Sequence, residues 1–227
     1  MNNSNLISLV SAVFILVSSI SAQEVTVATH WNEEVLEGIR NDFARPTVHA
    51  RNLLHSSIIM YDAWAAYDTT SSETYLLGKT LYGYTCEFDE ENFIIPESLE
   101  ERKESAEIAM SYAVYRLMKH RYGESPQADM TMSNINARMI EMELDTLVES
   151  TDYLNDGPAA LGNYLAEQMI AYGMQDGANE VEDYASTCYE SVNPNILPEA
   201  PGTNGIIDPN AWQAVELSFA IDQSGEL

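Results

Sequence analysis

The sequence predicts an all-α protein, a bundle of about five helices followed by a long extended, proline-rich C-terminal segment. Apolar residues recur at helical spacing in successive blocks, and Gly or Pro punctuates the joints between them. No stretch shows the alternating pattern of a half-buried strand. In the first block Trp31, Val35, Ile39 and Phe43 repeat every four residues. Pro46 disfavours helix at Arg45 and suits the first turn of a second helix, expected from Thr47 to about Tyr67. Its predicted buried stripe is Leu54, Ile58, Tyr61 and Ala65, widened by Met60, Trp64 and Tyr67. A helix apolar around most of its girth belongs at the centre of its domain.

Residues 69–96 mix Gly, aromatic and acidic residues without a period and read as irregular. Ser98 and Glu101 form a capping box, opening a helix to about Arg121 with Ala106, Ala109, Met110, Ala113 and Leu117 inside. Pro126 is expected to start a fourth helix running to about Val148, with Met132, Ile135, Met139 and Met142 buried. Pro158 to Met174 is the fifth, carrying Leu161, Leu165 and Met169. The methionines are read as core fillers. Beyond Gly177 the helical period stops, and residues 191–210 hold four prolines, so this connection is expected to clasp something or to be functional.

Composition narrows the partners. There are 36 acidic and 10 basic residues, net −26, so the surface repels nucleic acid and anionic lipid. The first 22 residues carry no charged side chain, and Leu6 to Val17 is apolar before a run of small residues, the pattern of a secretory signal peptide cut after Ala22. The expected organisation is a signal peptide over 1–22, a helical domain over 23–190 and an extended segment over 191–227. The mature chain is expected to be exported and free of the membrane. Cys86 and Cys188 can then form a disulfide, or can be two buried thiols. Neither "DYLNDG" (152–157) nor "DGANEVED" (176–183) matches a calcium loop.

The stretch "RPTVHARNLLHSSIIMYDAWAAYD" (45–68) concentrates the candidate chemistry. Arg51, His55 and Asp62 share one side of the helix, and His49, Asn52 and Ser56 another. A histidine between Arg and Asp can work as an acid or base. The competing reading is a buried helix whose polar residues satisfy one another, and it is preferred here. No HExxH, GxSxG or phosphate loop occurs. The cluster Arg116, Lys119, His120 and Arg121 is read as complementing the free carbonyls at a helix C-terminus.

"WNEEVLEGIRNDFARPTVHARNLLHSSIIMYDAWAAYD" resembles the N-terminal region of exported bacterial proteins of the vanadium-dependent haloperoxidase-related family, within the type-2 phosphatidic-acid phosphatase superfamily. "DGANEVEDYA", "VNPNILPEAPG" and "DPNAWQAVELSFAIDQSG" are similar to later landmarks of that family in the same order. The resemblance implies a larger helical fold of which this chain is an incomplete part. It also implies halide oxidation by peroxide at a bound vanadate in the full-length protein, or phosphoester hydrolysis in phosphatase-type relatives. Such a pocket needs a Lys with a later Arg-Pro, a Ser-Gly-His and a Ser-Arg followed by His. Here Arg45-Pro46 has no lysine before it, and neither Ser-Gly-His nor Ser-Arg occurs. No catalytic or metal-binding residue is therefore carried over, and this chain is expected to bind no vanadate by itself. Arg45, His49, Arg51, His55 and Asp62 are expected as structural or supporting polar residues. The expected partners are catalytic helices beyond Leu227 and, through uncovered apolar faces, further copies in a homo-oligomer. A non-catalytic secreted acidic helical protein is the remaining alternative.

Overall fold

A computed structural model describes residues 25–216 except Ser71, Ser186 and Cys188. The predicted signal peptide and one partner of the expected disulfide lie outside the described residues. Among the described residues there are five α-helices: α1 (Val27–Arg40), α2 (Pro46–Ala65), α3 (Leu99–Tyr122), α4 (Ala128–Glu141) and α5 (Gly157–Gly173). The all-α reading holds, with one addition. Inside the segment read as irregular, Thr80–Leu81 (β1) and Tyr84–Thr85 (β2) pair as a minimal antiparallel hairpin. Gly83, at φ 87°, supplies its turn. No helix of the described residues is long and apolar enough to cross a membrane.

The helix starts follow local chemistry. The Thr26 hydroxyl caps α1 by accepting from Thr29 N at 3.3 Å. Ser98 Oγ accepts from Glu101 N at 3.1 Å and donates to the Glu101 carboxylate at 2.8 Å, as a capping box requires. Pro46 opens α2, with Arg45 at φ −119° and ψ 75° outside the helical region. The fourth helix is shorter than expected. It stops at Glu141, and Glu143 turns the chain at φ 58° instead of carrying the helix to Val148.

α3 is the core. It packs against α1, α2, α4 and α5, burying Ala106, Ala109, Ala113, Val114, Leu117 and Met118. α5 lies closest, because Gly162 lets its backbone rest on α3. A Cβ there would sit 2.3 Å from Ala109 O and 2.7 Å from Tyr112 Cβ. Leu161, Leu165 and Met169 flank this crossing, all fully buried. α1 contributes Trp31, whose indole Nε1 donates to Ser111 Oγ at 2.9 Å. A buried indole N–H needs such a partner.

The second helix buries part of the side expected of it: Ile58, Met60, Ala65 and Tyr67 of the predicted apolar set are buried. Leu54, Tyr61 and Trp64, placed in the core by their spacing, face solvent at 57%, 43% and 45% exposure. His49, Asn52, His55, Ser56 and Asp62 are buried in their place, beside Ile59, Met60 and Ala63. Polar groups can fill a core only when their hydrogen bonds are met. Asp62 shows how. It is fully buried and accepts three backbone N–H groups, from Tyr75 at 2.6 Å, Leu76 at 2.7 Å and Leu77 at 2.9 Å. Burial pushes its pKa up, and the three amides pull against that. The carboxylate fixes the loop after α2, which lays Leu76, Leu77 and Cys86 into the core.

Asp62→Ala strands three buried donors. At about 1–3 kcal/mol per unsatisfied group it should cost about 3 kcal/mol or more, read as a lowered denaturant midpoint. A loss under about 1 kcal/mol would contradict the role given to this side chain.

Candidate functional site

The candidate residues of α2 separate along its length. Asp62 serves the loop at the C-terminal end of the helix. Near the start, His49 Nε2 donates to Phe43 O at 2.7 Å, and its Nδ1 is buried without a partner. His49 therefore secures the turn between α1 and α2 and does not join His55. Arg45 reaches Asp183 at 2.7 Å and Asp42 at 3.6 Å, with its guanidinium over the rings of Phe43 and Tyr184.

Arg51 and His55, one turn apart, form the centre of a buried charge cluster. Arg51 Nε donates to Asp176 Oδ2 at 2.6 Å, and Nη2 donates to Glu180 Oε2 at 2.6 Å and Gly173 O at 2.9 Å. Arg121, at the end of α3, donates through Nη1 to Asn52 Oδ1 at 3.0 Å and through Nη2 to His55 Nδ1 at 2.7 Å. Its Nε lies 3.4 Å from Glu180 Oε1, and His120 Nε2 donates to the same oxygen at 3.1 Å. Asn52 in turn donates to the Tyr122 hydroxyl at 3.3 Å. Gly173 makes the space, since a Cβ there would fall 2.6 Å from Arg51 Nη2 and 3.0 Å from both Arg121 Nη2 and Glu180 Oε2.

The carboxylates come from the segment after α5. Asn179, Asp183 and Tyr184 adopt positive φ values of 61°, 49° and 61° around a short 3-10 turn at 180–182. Left-handed backbone at non-glycine residues is costly and persists where surrounding contacts hold it. Here Arg45, Arg51, Arg121 and His120 hold the turn, while Asn179 Nδ2 closes it onto Ala185 O at 2.8 Å.

Protonation follows from this geometry. Because Arg121 donates to Nδ1 of His55, the ring hydrogen sits on Nε2, facing Asp176 at 3.6 Å. Burial, with the charges of Arg121 and Arg51, drops the His55 pKa to about 3, so the ring is neutral. Glu180 would be raised by its own burial, but the His120 hydrogen bond and the Arg121 and Arg51 charges bring it down to about 2. Two guanidinium groups thus face two carboxylates, and the imidazole is spent as an acceptor.

The cluster corrects two expectations. Arg121 and His120 are not free complements to a helix terminus; they grip Glu180. Arg116 also looks elsewhere, donating to Asn163 Oδ1 at 3.1 Å and to Val148 O at 2.6 Å. The stretch 176–183, which does not match a calcium loop and belongs to a block of the family resemblance, supplies the acids of the site. Among the described residues no group of three or more His, Cys, Asp or Glu is arranged to hold a metal ion. Asp176 and Glu180 take the Arg51 donors and Asn52 and His55 take the Arg121 Nη donors, while Arg121 Nε is buried without a hydrogen-bond partner. A shallow cleft of about 410 Å3 opens beside Arg45, Arg51 and Tyr184, but both arginines turn to carboxylates there.

Cys86 is buried with a free thiol, whose pKa burial raises to about 11. Its proposed partner Cys188 lies outside the described residues. In the proline-rich connection, Asn193 is 2% exposed and is the hub of the loop. Its Nδ2 donates to Asp208 O, Ala211 O and Trp212 O, and its Oδ1 accepts from Ile207 N and Asp208 N. This segment clasps itself, where the sequence suggested only that it clasps something.

Acid should weaken the cluster in a defined window. The depressed Glu180 contributes stability that is complete above its ordinary pKa of 4.5 and lost as pH falls towards 2. For His55 the unfolded chain takes up a proton from pH 6.5 downward while the folded chain resists until about 3, so stability falls over that range too. Thermal melting should therefore drop from about pH 6.5 downward. His55→Asn, whose amide oxygen can still accept from Arg121, should flatten the slope between 6.5 and 4.5; an unaltered slope would rule His55 out as its source.

No family model, curated protein or solved structure matches the chain.

Proposed function

We propose that this chain is the helical scaffold part of an exported vanadium-dependent haloperoxidase-like protein, and that its buried charge cluster is a structural clamp. The observation that carries the clamp reading is the pairing of every cation around His55 with a protein carboxylate or a neutral acceptor. An oxyanion pocket needs donors left open for charge that develops during reaction. Here Arg51 Nε and Nη2 and both Nη atoms of Arg121 are committed to protein acceptors, and Arg121 Nε lies 3.4 Å from Glu180.

The scaffold reading draws on the four blocks of family resemblance and on the outward apolar stripe of α2. Leu54 and Tyr61, two turns apart, lie on one exposed face, at 57% and 43% exposure. An apolar stripe on a central helix suits burial against further helices. In this reading, halide oxidation at vanadate belongs to those helices, and the residues of this chain position them.

The test is direct. The full chain, supplied with vanadate, bromide and peroxide, should leave an indicator dye unbrominated, and vanadate should not move its melting temperature. Bromination would refute the clamp as a purely structural element. The reading frame beyond Leu227 tests the family assignment. Continuation into Lys, Arg-Pro, Ser-Gly-His and Ser-Arg blocks is expected, whereas a stop codon favours a secreted acidic helical protein without catalysis.

A further inference from the structure

The chain contains seven arginines, and six have a carboxylate within 4.0 Å: Arg40, Arg45, Arg51, Arg116, Arg121 and Arg138. Arg102 is the exception among the described residues. In a protein with 36 acidic side chains, an arginine that avoids them all is notable for where it points. Its Nη1 donates to Thr69 Oγ1 at 2.9 Å, and among the described residues no other hydrogen bond or ion pair engages the guanidinium.

Arg102 stands at the rim of a cleft of about 570 Å3, between the start of α1, the end of α2 and the first turns of α3. The floor is apolar, made by Val27, Trp64, Tyr67, Ala106 and Met110, with Leu99 at the edge. Trp64 is 45% exposed and Leu99 75%, so apolar surface stays open to water here. Two carboxylates share the rim, Glu107 paired with a lysine and Asp68 turned onto its own loop. Glu107 lies 3.7 Å from Lys103, and Asp68 accepts from the Thr70 hydroxyl at 2.8 Å and from Ser72 N at 3.3 Å. What remains is one unspent planar cation over an apolar trough.

That pairing specifies a ligand class. The volume lies within the range of small-molecule sites, whose lining is mainly apolar with a few polar groups that fix orientation. A guanidinium fork matches a carboxylate bidentately. A cationic head would meet the Arg102 guanidinium while Glu107 already faces Lys103 and Asp68 turns to Thr70 and Ser72, and a neutral head would leave the guanidinium without a counter-charge. The net charge of −26 opposes anions at long range, but salt screens that field beyond about 8 Å at physiological ionic strength, leaving the contact pair to decide. We propose that this cleft binds a single-chain amphiphile, with its carboxylate head on Arg102 and its apolar tail against Trp64 and Met110.

Titration calorimetry of the full chain with decanoate, kept below its micellar concentration, tests this against decanol and decyltrimethylammonium. One equivalent of decanoate should bind at least tenfold more tightly than either control. Its binding should shift tryptophan emission, and Trp64→Phe should remove that shift. Arg102→Gln should reduce the decanoate affinity at least tenfold and leave decanol unchanged, with Arg102→Lys recovering part of the loss. Equal affinity for the three heads, absence of binding, or uptake of many equivalents would overturn the proposal on the unaltered chain, whether or not the variants fold. Self-association that protects Trp64 and is indifferent to decanoate would overturn it in favour of a second copy as the occupant.

Discussion

The fold is tied together by two arginines from different helices converging on one glutamate. Arg51 of α2 and Arg121 of α3 both reach Glu180, which belongs to neither helix and follows α5 in the chain. A buried charge alone is prohibitively costly, so each member of this group requires the others. The requirement sets geometry as much as energy. It fixes the rotation of α2 about its axis, the position of the α3 terminus and the path of the chain after α5. Gly173 belongs to the same constraint, because any side chain at that point would displace the guanidinium groups.

Once α2 is turned to present Arg51 and His55 inward, its outward face is decided. Leu54, Tyr61 and Trp64 go to solvent because the opposite side is committed to ions and to Asp62. The helix thus follows only in part the usual rule that apolar spacing marks the buried side: Ile58 and Ala65 of its stripe are buried, Leu54 and Tyr61 are not. It can do so because α2 is apolar almost all round: Ile59, Met60 and Ala63 still supply core contacts on the inward side.

Much of the fold was legible in the sequence. The capping box at Ser98 and the Pro at the start of α2 both work locally, within one turn, and local signals survive folding. The preference for buried, mutually satisfied polar residues on α2 was legible too. Their partners were not. Asp176 and Glu180 lie more than a hundred residues from Arg51 in sequence, and nothing in a helical period reports such a pairing. A trace existed in matching spacings, since Arg51 and His55 are four apart, as are Asp176 and Glu180. Equal spacing on two segments is compatible with a face-to-face arrangement, but His55 is neutral and Arg51 alone of the pair carries charge, and the same spacing occurs on solvated surfaces. The end of α4 was missed for a different reason. Apolar Met142, Leu144 and Val148 continue to pack on the core after the helix has ended, so burial outlasts helicity.

The Asn193 hub has a consequence for chemical ageing. Asparagine decays when the backbone nitrogen of the next residue attacks the side-chain amide to close a succinimide ring. The next residue here is Pro194, whose nitrogen carries no hydrogen and is held within its own ring. A loop that hangs five hydrogen bonds on one amide is thereby shielded, by its neighbour in sequence, from the reaction that would turn three donated bonds into repulsions.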